Sequence, residues 1–191
     1  MAEVGLVALA VVLGLGAAVV VSYNRFVEQR QLVRDAWANI DTELQRRADL
    51  VPNLVATVRA YAAHERAVLD EVTEARTRAV ADHVGVDDRA ADEQRLAGAL
   101  RHLFAVVEGY PELRASSQFL ALQQELAVTE DRIQAARRFH NANVRDLNRR
   151  VESVPSNLVA SAFGFHREAY FEVEPVLRDA GAPGVDALRD G

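Results

Sequence analysis

Five histidines are the side chains best suited to chemistry in this 191-residue chain: His64, His83, His102, His140 and His166. His64-Glu65 opens like the HExxH helix motif, where two histidines one turn apart hold zinc and the glutamate is the general base. Val68 stands where the second histidine is required. A di-iron bundle needs Glu-x-x-His on two helices, and no histidine here has a glutamate three residues before it. The absence of cysteine removes thiolate metal sites, thiol nucleophiles and disulfides. Ser116, Ser117, Ser153, Ser156 and Ser161 lack a Gly-x-Ser-x-Gly elbow and fall at helix boundaries or faces, where capping accounts for them. There is no glycine-rich phosphate loop. These patterns supply no catalytic residue, metal or cofactor, so a non-enzymatic protein is expected.

Glu65 and His140 form a candidate polar seam, because both occupy apolar stripe positions on long helices. Either they meet in the interior, where such a pair specifies helix register rather than catalysis, or each reaches water at the stripe edge.

The elements that would carry these residues are all helical. Val4 to Val21 holds no charge. Eighteen residues span about 27 Å, near the short end of a hydrocarbon core. A cleaved signal peptide is disfavoured because no basic residue precedes the run and the apolar stretch continues past Ala17-Ala18. Arg25, Arg30 and Arg34 follow it, so the positive-inside rule places the remaining chain in the cytoplasm and the N-terminus outside. The expected location is the cell (inner) membrane, with a single pass. Ala10, Gly14 and Ala18 make a small-residue face through which two anchors could associate.

Beyond Phe26 the spacing becomes periodic. Val33, Trp37, Ile40 and Leu44 mark a first soluble helix continuing from the anchor. Pro52 predicts a corner near residues 49–53, followed by a long helix carrying Leu54, Val58, Tyr61, Val68, Val72, Ala75 and Ala79. Residues 82–88 read as a loop. Leu96, Leu100, Leu103 and Val107 mark a third helix that ends or kinks at Glu108-Gly109-Tyr110-Pro111. A fourth helix alternates threes and fours from Phe119 to Val154, the spacing of a coiled coil or antiparallel bundle. Ser156 is a candidate cap for a short helix through Phe165. The fold class is therefore all-α: an N-terminal transmembrane helix followed by a long antiparallel bundle of about four main helices. Residues 1–22 form the anchor, 23–172 the bundle and 173–191 a disordered tail.

All 22 basic residues are arginine, which reflects either genome bias or selection for bidentate anion contacts. Lysine is absent from every surface position, which favours genome bias. The net charge of −6 gives no attraction to nucleic acid.

Several runs resemble the LemA family. They include Tyr23-Asn24, Ala36-Trp37, Ile40-Asp41, residues 46–55, His64-Glu65 and residues 108–115. Others are Phe119, Leu122-Gln123, Thr129-Glu130, residues 136–139, Asn141, Asn148, residues 155–160, Phe163-Gly164-Phe165 and Tyr170-Phe171. The resemblance covers about residues 23–171. It departs at His140, where the family usually carries tyrosine. It implies a prokaryotic, membrane-attached helical bundle with no assigned catalytic residues. It also implies company at membranes: family members are often encoded near membrane-bound metalloproteases, and a relative takes part in building magnetosome membranes.

The expected function is thus a membrane-anchored helical scaffold, with lipid and an unidentified protein as partners and self-association a further option. The alternatives are an accessory of a membrane metalloprotease, or a hydrolase whose site has no sequence signature. Arg25, Arg30, Arg34, Phe163, Phe165, Tyr170 and Phe171 are candidate membrane-surface contacts: a basic collar with aromatics at the headgroups. The competing reading packs those aromatics on the base of the bundle.

Overall fold

The computed structural model describes residues 1–176; the expected tail lies, from residue 177 on, outside them. Helices α1 (Ala2–Tyr61), α2 (Arg66–Ala79), α3 (Val86–Val107), α4 (Pro111–Arg114), α5 (Ser117–Glu152) and α6 (Ser156–Phe163) account for the regular structure, and no strand occurs among the described residues. The fold is all-α, as the periodicity predicts. The long apolar N-terminal segment is the first part of α1; it is unburied throughout and long and apolar enough to cross a membrane.

The corner expected at residues 49–53 does not form. Pro52 lies inside α1. A proline cannot donate to the carbonyl four residues back, and that unmet acceptor is much of what makes an internal proline costly. Here the Ala48 carbonyl accepts instead from Arg76 Nε on α2, at 2.8 Å. The bend moves to residues 62–65. There α1 ends, Glu65 N–H donates to the Ala62 carbonyl at 3.1 Å, and Glu65 sits at the N-cap of α2. The expected single helix from Leu54 to Ala79 is therefore two.

Two smaller expectations also change. Asp87 and Asp88, read as loop, occupy the first turn of α3, where acidic side chains complement the helix dipole. Ser156 does not cap α6. Its hydroxyl turns back to the carbonyls of Arg150 (2.7 Å) and Ser153 (2.9 Å).

The chain divides into two compact units. The first comprises Met1–Thr42 and Ala135–Phe171, with a core of Phe26, Val33, Val144, Leu147, Val159, Ala160 and Phe165. In it, α6 ends at Gly164, whose φ of +70° only glycine adopts without strain. The turn lets Phe165 N–H reach the Ala160 carbonyl at 2.9 Å and seats Phe165 on Phe26, ring centroids 4.7 Å apart. Among the described residues, the second unit comprises Glu43–Gln134 and residues 172–176. Leu54, Val58, Leu69, Val72, Leu96, Leu100, Leu103 and Leu113 form its centre with Val176, and Val173 is buried too. Each such side chain contributes about 1.5–3 kcal/mol by leaving water.

Removing the Arg76 donor should expose the cost of the internal proline. Arg76→Met is expected to lose about 1.5–3 kcal/mol of stability. In a Pro52→Ala background, where residue 52 regains its N–H, the same change should lose markedly less. Urea unfolding of the four proteins of this cycle reads the coupling, and equal losses in both backgrounds would refute it.

Candidate functional site

The second unit contains a charge network that the apolar stripe conceals. Arg47 extends the α1 spacing of Leu44 and Val51, yet its guanidinium is only 1% exposed. Such burial is tolerated only with close, well-aligned carboxylates. Arg47 Nη2 donates to Glu93 Oε2 of α3 at 2.6 Å, and Nη1 donates to Glu130 Oε2 of α5 at 3.0 Å. Glu130 Oε1 accepts from Gln134 at 2.8 Å. Arg89 Nε lies 3.1 Å from Glu93 Oε1, close enough for charge attraction although the angle is poor for a hydrogen bond. Burial pushes the Glu93 carboxyl up, with Arg47 and Arg89 opposing.

The network continues outward. His83 Nε2 lies 3.1 Å from Asp92 Oδ2, and His83 Nδ1 lies 3.4 Å from Arg89 Nη1. A proton on Nε2 satisfies both contacts, as a donor to Asp92 and an acceptor from Arg89. Burial would raise Asp92, but hydrogen bonds from His83 and Arg95 outweigh it and hold the carboxyl below its usual range. Three arginines (47, 89, 95) balance three carboxylates (92, 93, 130). The arrangement ties α1, α3 and α5 together, and every carboxylate oxygen in it except Glu93 Oε1 accepts a hydrogen bond from the protein's own donors.

Glu65, one half of the expected polar seam, has a different partner. Tyr110 donates its phenol proton to Glu65 Oε1 at 2.8 Å and lies 2.7 Å from His64 Nε2. The hydrogen bond to Glu65, then burial and the carboxylate charge, raise the Tyr110 pKa. This group closes the bend between α1 and α2. His140, the other half, belongs to the first unit. It is buried beside Trp37, ring centroids 5.5 Å apart, and neither nitrogen makes a well-formed hydrogen bond. Burial lowers its pKa; the Val33 carbonyl and the Glu168 charge oppose but do not reverse this.

The membrane-surface candidates all belong to the first unit and divide by burial. Phe165 and Phe171 lie in its core, with Phe171 edge-on to Trp37 at 5.2 Å. Phe163 and Tyr170 are 53% and 41% exposed. Arg25 and Arg34 are exposed, whereas Arg30 lies over the Phe165 ring at 5.2 Å.

The chain after α6 runs back without regular structure, held through its backbone. Asn148 accepts from Glu168 N–H (2.8 Å) and donates to its carbonyl (2.9 Å). Asn141 does the same for Phe171, at 3.0 Å each way. The sequence hides these clasps because an amide that reads backbone imposes no pattern on the residues it holds.

An open cleft of about 430 Å³ between the end of α3 and the start of α5 is lined by Phe104, Val107, Pro111, Phe119 and Leu120. Its one carboxylate, Glu108, pairs with Arg114 at 3.0 Å. No cluster of three or more His, Asp or Glu with metal-binding geometry occurs among the described residues.

Two outcomes follow from these geometries. Arg47→Met should cost about 3–5 kcal/mol, because it strands two carboxylates in the core. Arg47→Met combined with Glu93→Gln and Glu130→Gln should recover part of that loss. Chemical denaturation measures both, and a single-variant cost below about 1 kcal/mol would deny the network its structural role. For His140, the folded pKa lies below the unfolded value of 6.5. As pH falls below that value the unfolded chain takes up the proton first, so stability drops. The melting temperature should decrease from about pH 7.5 to about pH 5.5, by less in His140→Phe. An unchanged pH dependence in that variant would contradict the assignment.

Comparison with known proteins finds a family and several relatives. The family model described as "LemA family" matches residues 36–186. The magnetosome protein MamQ 1 of Paramagnetospirillum magneticum is 28% identical over 184 residues, covering 83% of this chain and 68% of its own length. The magnetosome protein MamQ of Magnetospirillum gryphiswaldense is 27% identical over 178 residues, covering 80% and 65%. Protein LemA of Metamycoplasma hominis is 24% identical over 160 residues, covering 81% and 71%. With its family model matched across most of its length, the chain belongs to the LemA family.

Proposed function

We propose that this protein is a non-enzymatic scaffold, anchored in the cell membrane by residues 4–21, that presents its helices to a protein partner at the membrane surface. One observation carries the reading. The apolar run is unburied and passes without a break into the helix that carries Arg47 and Val51 into the second unit. Exposing that run to water would be costly, and inserting it in lipid satisfies both its side chains and its helical backbone. Arg25, Arg30 and Arg34 favour a cytoplasmic domain.

The chemistry of the polar groups supports a structural role over a catalytic one. Arg47 donates to both Glu93 and Glu130, and Glu130 takes a further hydrogen bond from Gln134. Perturbed carboxylates mark active sites when they converge on a cleft; Glu93 is instead packed in the core. The relatives named as magnetosome proteins favour work at a membrane.

Alkaline extraction of membranes tests the anchor. The native chain should remain in the pellet. Leu9→Arg plus Leu13→Arg, each costing about 2.5–3.5 kcal/mol of insertion, should release it. Release of the native chain would reject the reading. Cross-linking in intact membranes followed by purification tests the scaffold role: a stoichiometric protein partner is expected. Recovery of a metalloprotease at equal stoichiometry would identify the chain as that enzyme's accessory.

A further inference from the structure

Helix α6 has one buried face and one exposed apolar face, and it sits beside the end of the apolar run. No charged residue occurs from Val154 through Phe165. Val159 and Ala160 face the core, while Val154, Leu158 and Phe163 are 80%, 69% and 53% exposed. Scattered exposed apolar residues are ordinary on a protein surface. The position of this group is not. The Phe163 ring lies 5.0 Å from that of Tyr23, and the Phe165 ring 5.6 Å from it. Tyr23 follows Val21 by two residues, about 3 Å along the helix axis. The headgroup layer beyond the hydrocarbon core is about 5–7 Å thick on each side. If residues 4–21 fill the hydrocarbon, Phe163 is held at headgroup depth.

The neighbouring charges suit the same surface. Arg25 is exposed one turn past the apolar run. Arg30 lies over Phe165 at 5.2 Å, and Arg150 over Phe26 at 5.9 Å while donating to Gln29 at 2.8 Å. Arg25 stands at the depth of the phosphates, and the long side chains of Arg30 and Arg150 lie further along the same unit, on its aromatic rings. Aromatic rings favour this depth, because it suits both the ring face and the polar edge.

We infer that the outer face of α6, formed by Val154, Leu158 and Phe163, is a second membrane contact that dips into the headgroup layer of the leaflet from which the anchor emerges. The occupant is a phospholipid bilayer. The inference rests on the reading that residues 4–21 cross the membrane. A lone transmembrane helix is free to rotate about its axis. A second contact beside it fixes which side of the first unit faces lipid, and so which faces remain open to partners.

The lack of native cysteine allows a direct test on the full chain. Single variants Val12→Cys, Leu120→Cys, Leu158→Cys and Phe163→Cys are labelled with an environment-sensitive fluorophore. Each is reconstituted in phosphatidylcholine–phosphatidylglycerol vesicles. Quenching is then compared for headgroup nitroxide lipid, deep acyl-chain nitroxide lipid and aqueous iodide. Position 12 should respond to the deep nitroxide and position 120 to iodide. Positions 158 and 163 should respond to the headgroup nitroxide and be shielded from iodide. If 158 and 163 follow 120 while 12 remains deep, the α6 contact fails and the anchor stands. If position 12 is itself open to iodide, the anchor fails. Shielding of 158 and 163 from every quencher would place a protein against α6 and overturn the lipid assignment.

Discussion

A guanidinium removed from water sets the terms for the second unit. Arg47 is buried and must be met by carboxylates, and two helices supply them, Glu93 from α3 and Glu130 from α5. A one-residue slip of α1 would move Arg47 away from both acceptors. The desolvation cost makes the pair a weak source of stability but a strong selector of register. The next residue, Ala48, carries the carbonyl that Pro52 leaves without a donor, and Arg76 of α2 fills it. Two adjacent residues of α1 thus hold polar locks to three other helices. Through them this stretch of α1 is fastened into the second unit while staying helical through its proline.

Helical continuity gives the apolar segment its meaning. It is the first part of a single helix, α1, that runs from Ala2 to Tyr61. In the first unit the same helix supplies Tyr23 and Phe26, on which Phe163 and Phe165 rest. Gly164 allows the turn that seats Phe165 there, just after Phe163 at the end of α6. The clasps from Asn148 and Asn141 then hold the returning chain by its backbone, leaving its side chains free to point into the core, as Phe171 does, or outward, as Tyr170 does.

Much of this was legible in the residues, for reasons that separate the successes from the failures. Helical stripes report burial on one face, so α1, α3 and α5 could be read from Val33, Ile40, Leu100, Leu103 and Ile133. Arg47 and Glu130 were legible in principle, since each occupies a stripe position where charge is costly and must be paired. Pro52 misled because a proline's effect depends on whether a donor from elsewhere takes its orphaned carbonyl, and Arg76 lies far along the chain. The bend at residues 62–65 carries neither glycine nor proline, so nothing local announces it; the Tyr110 hydroxyl closes it from a distant segment. Of the aromatic candidates, composition could not separate buried Phe165 and Phe171 from exposed Phe163 and Tyr170, because that sorting is made by the turn at Gly164. Asn141 and Asn148 stood in recognisable runs, but their role appears only when their backbone partners are placed.

The account turns on α1 being one helix through its proline. Amide hydrogen exchange on the full chain, reconstituted in lipid nanodiscs, tests this most directly. Protection should continue without a gap through the amides flanking Pro52, from Leu44 to Val58, and end near Tyr61. Rapid exchange confined to residues 49–54, with slow exchange on either side, would mean that the helix bends there and the account is wrong.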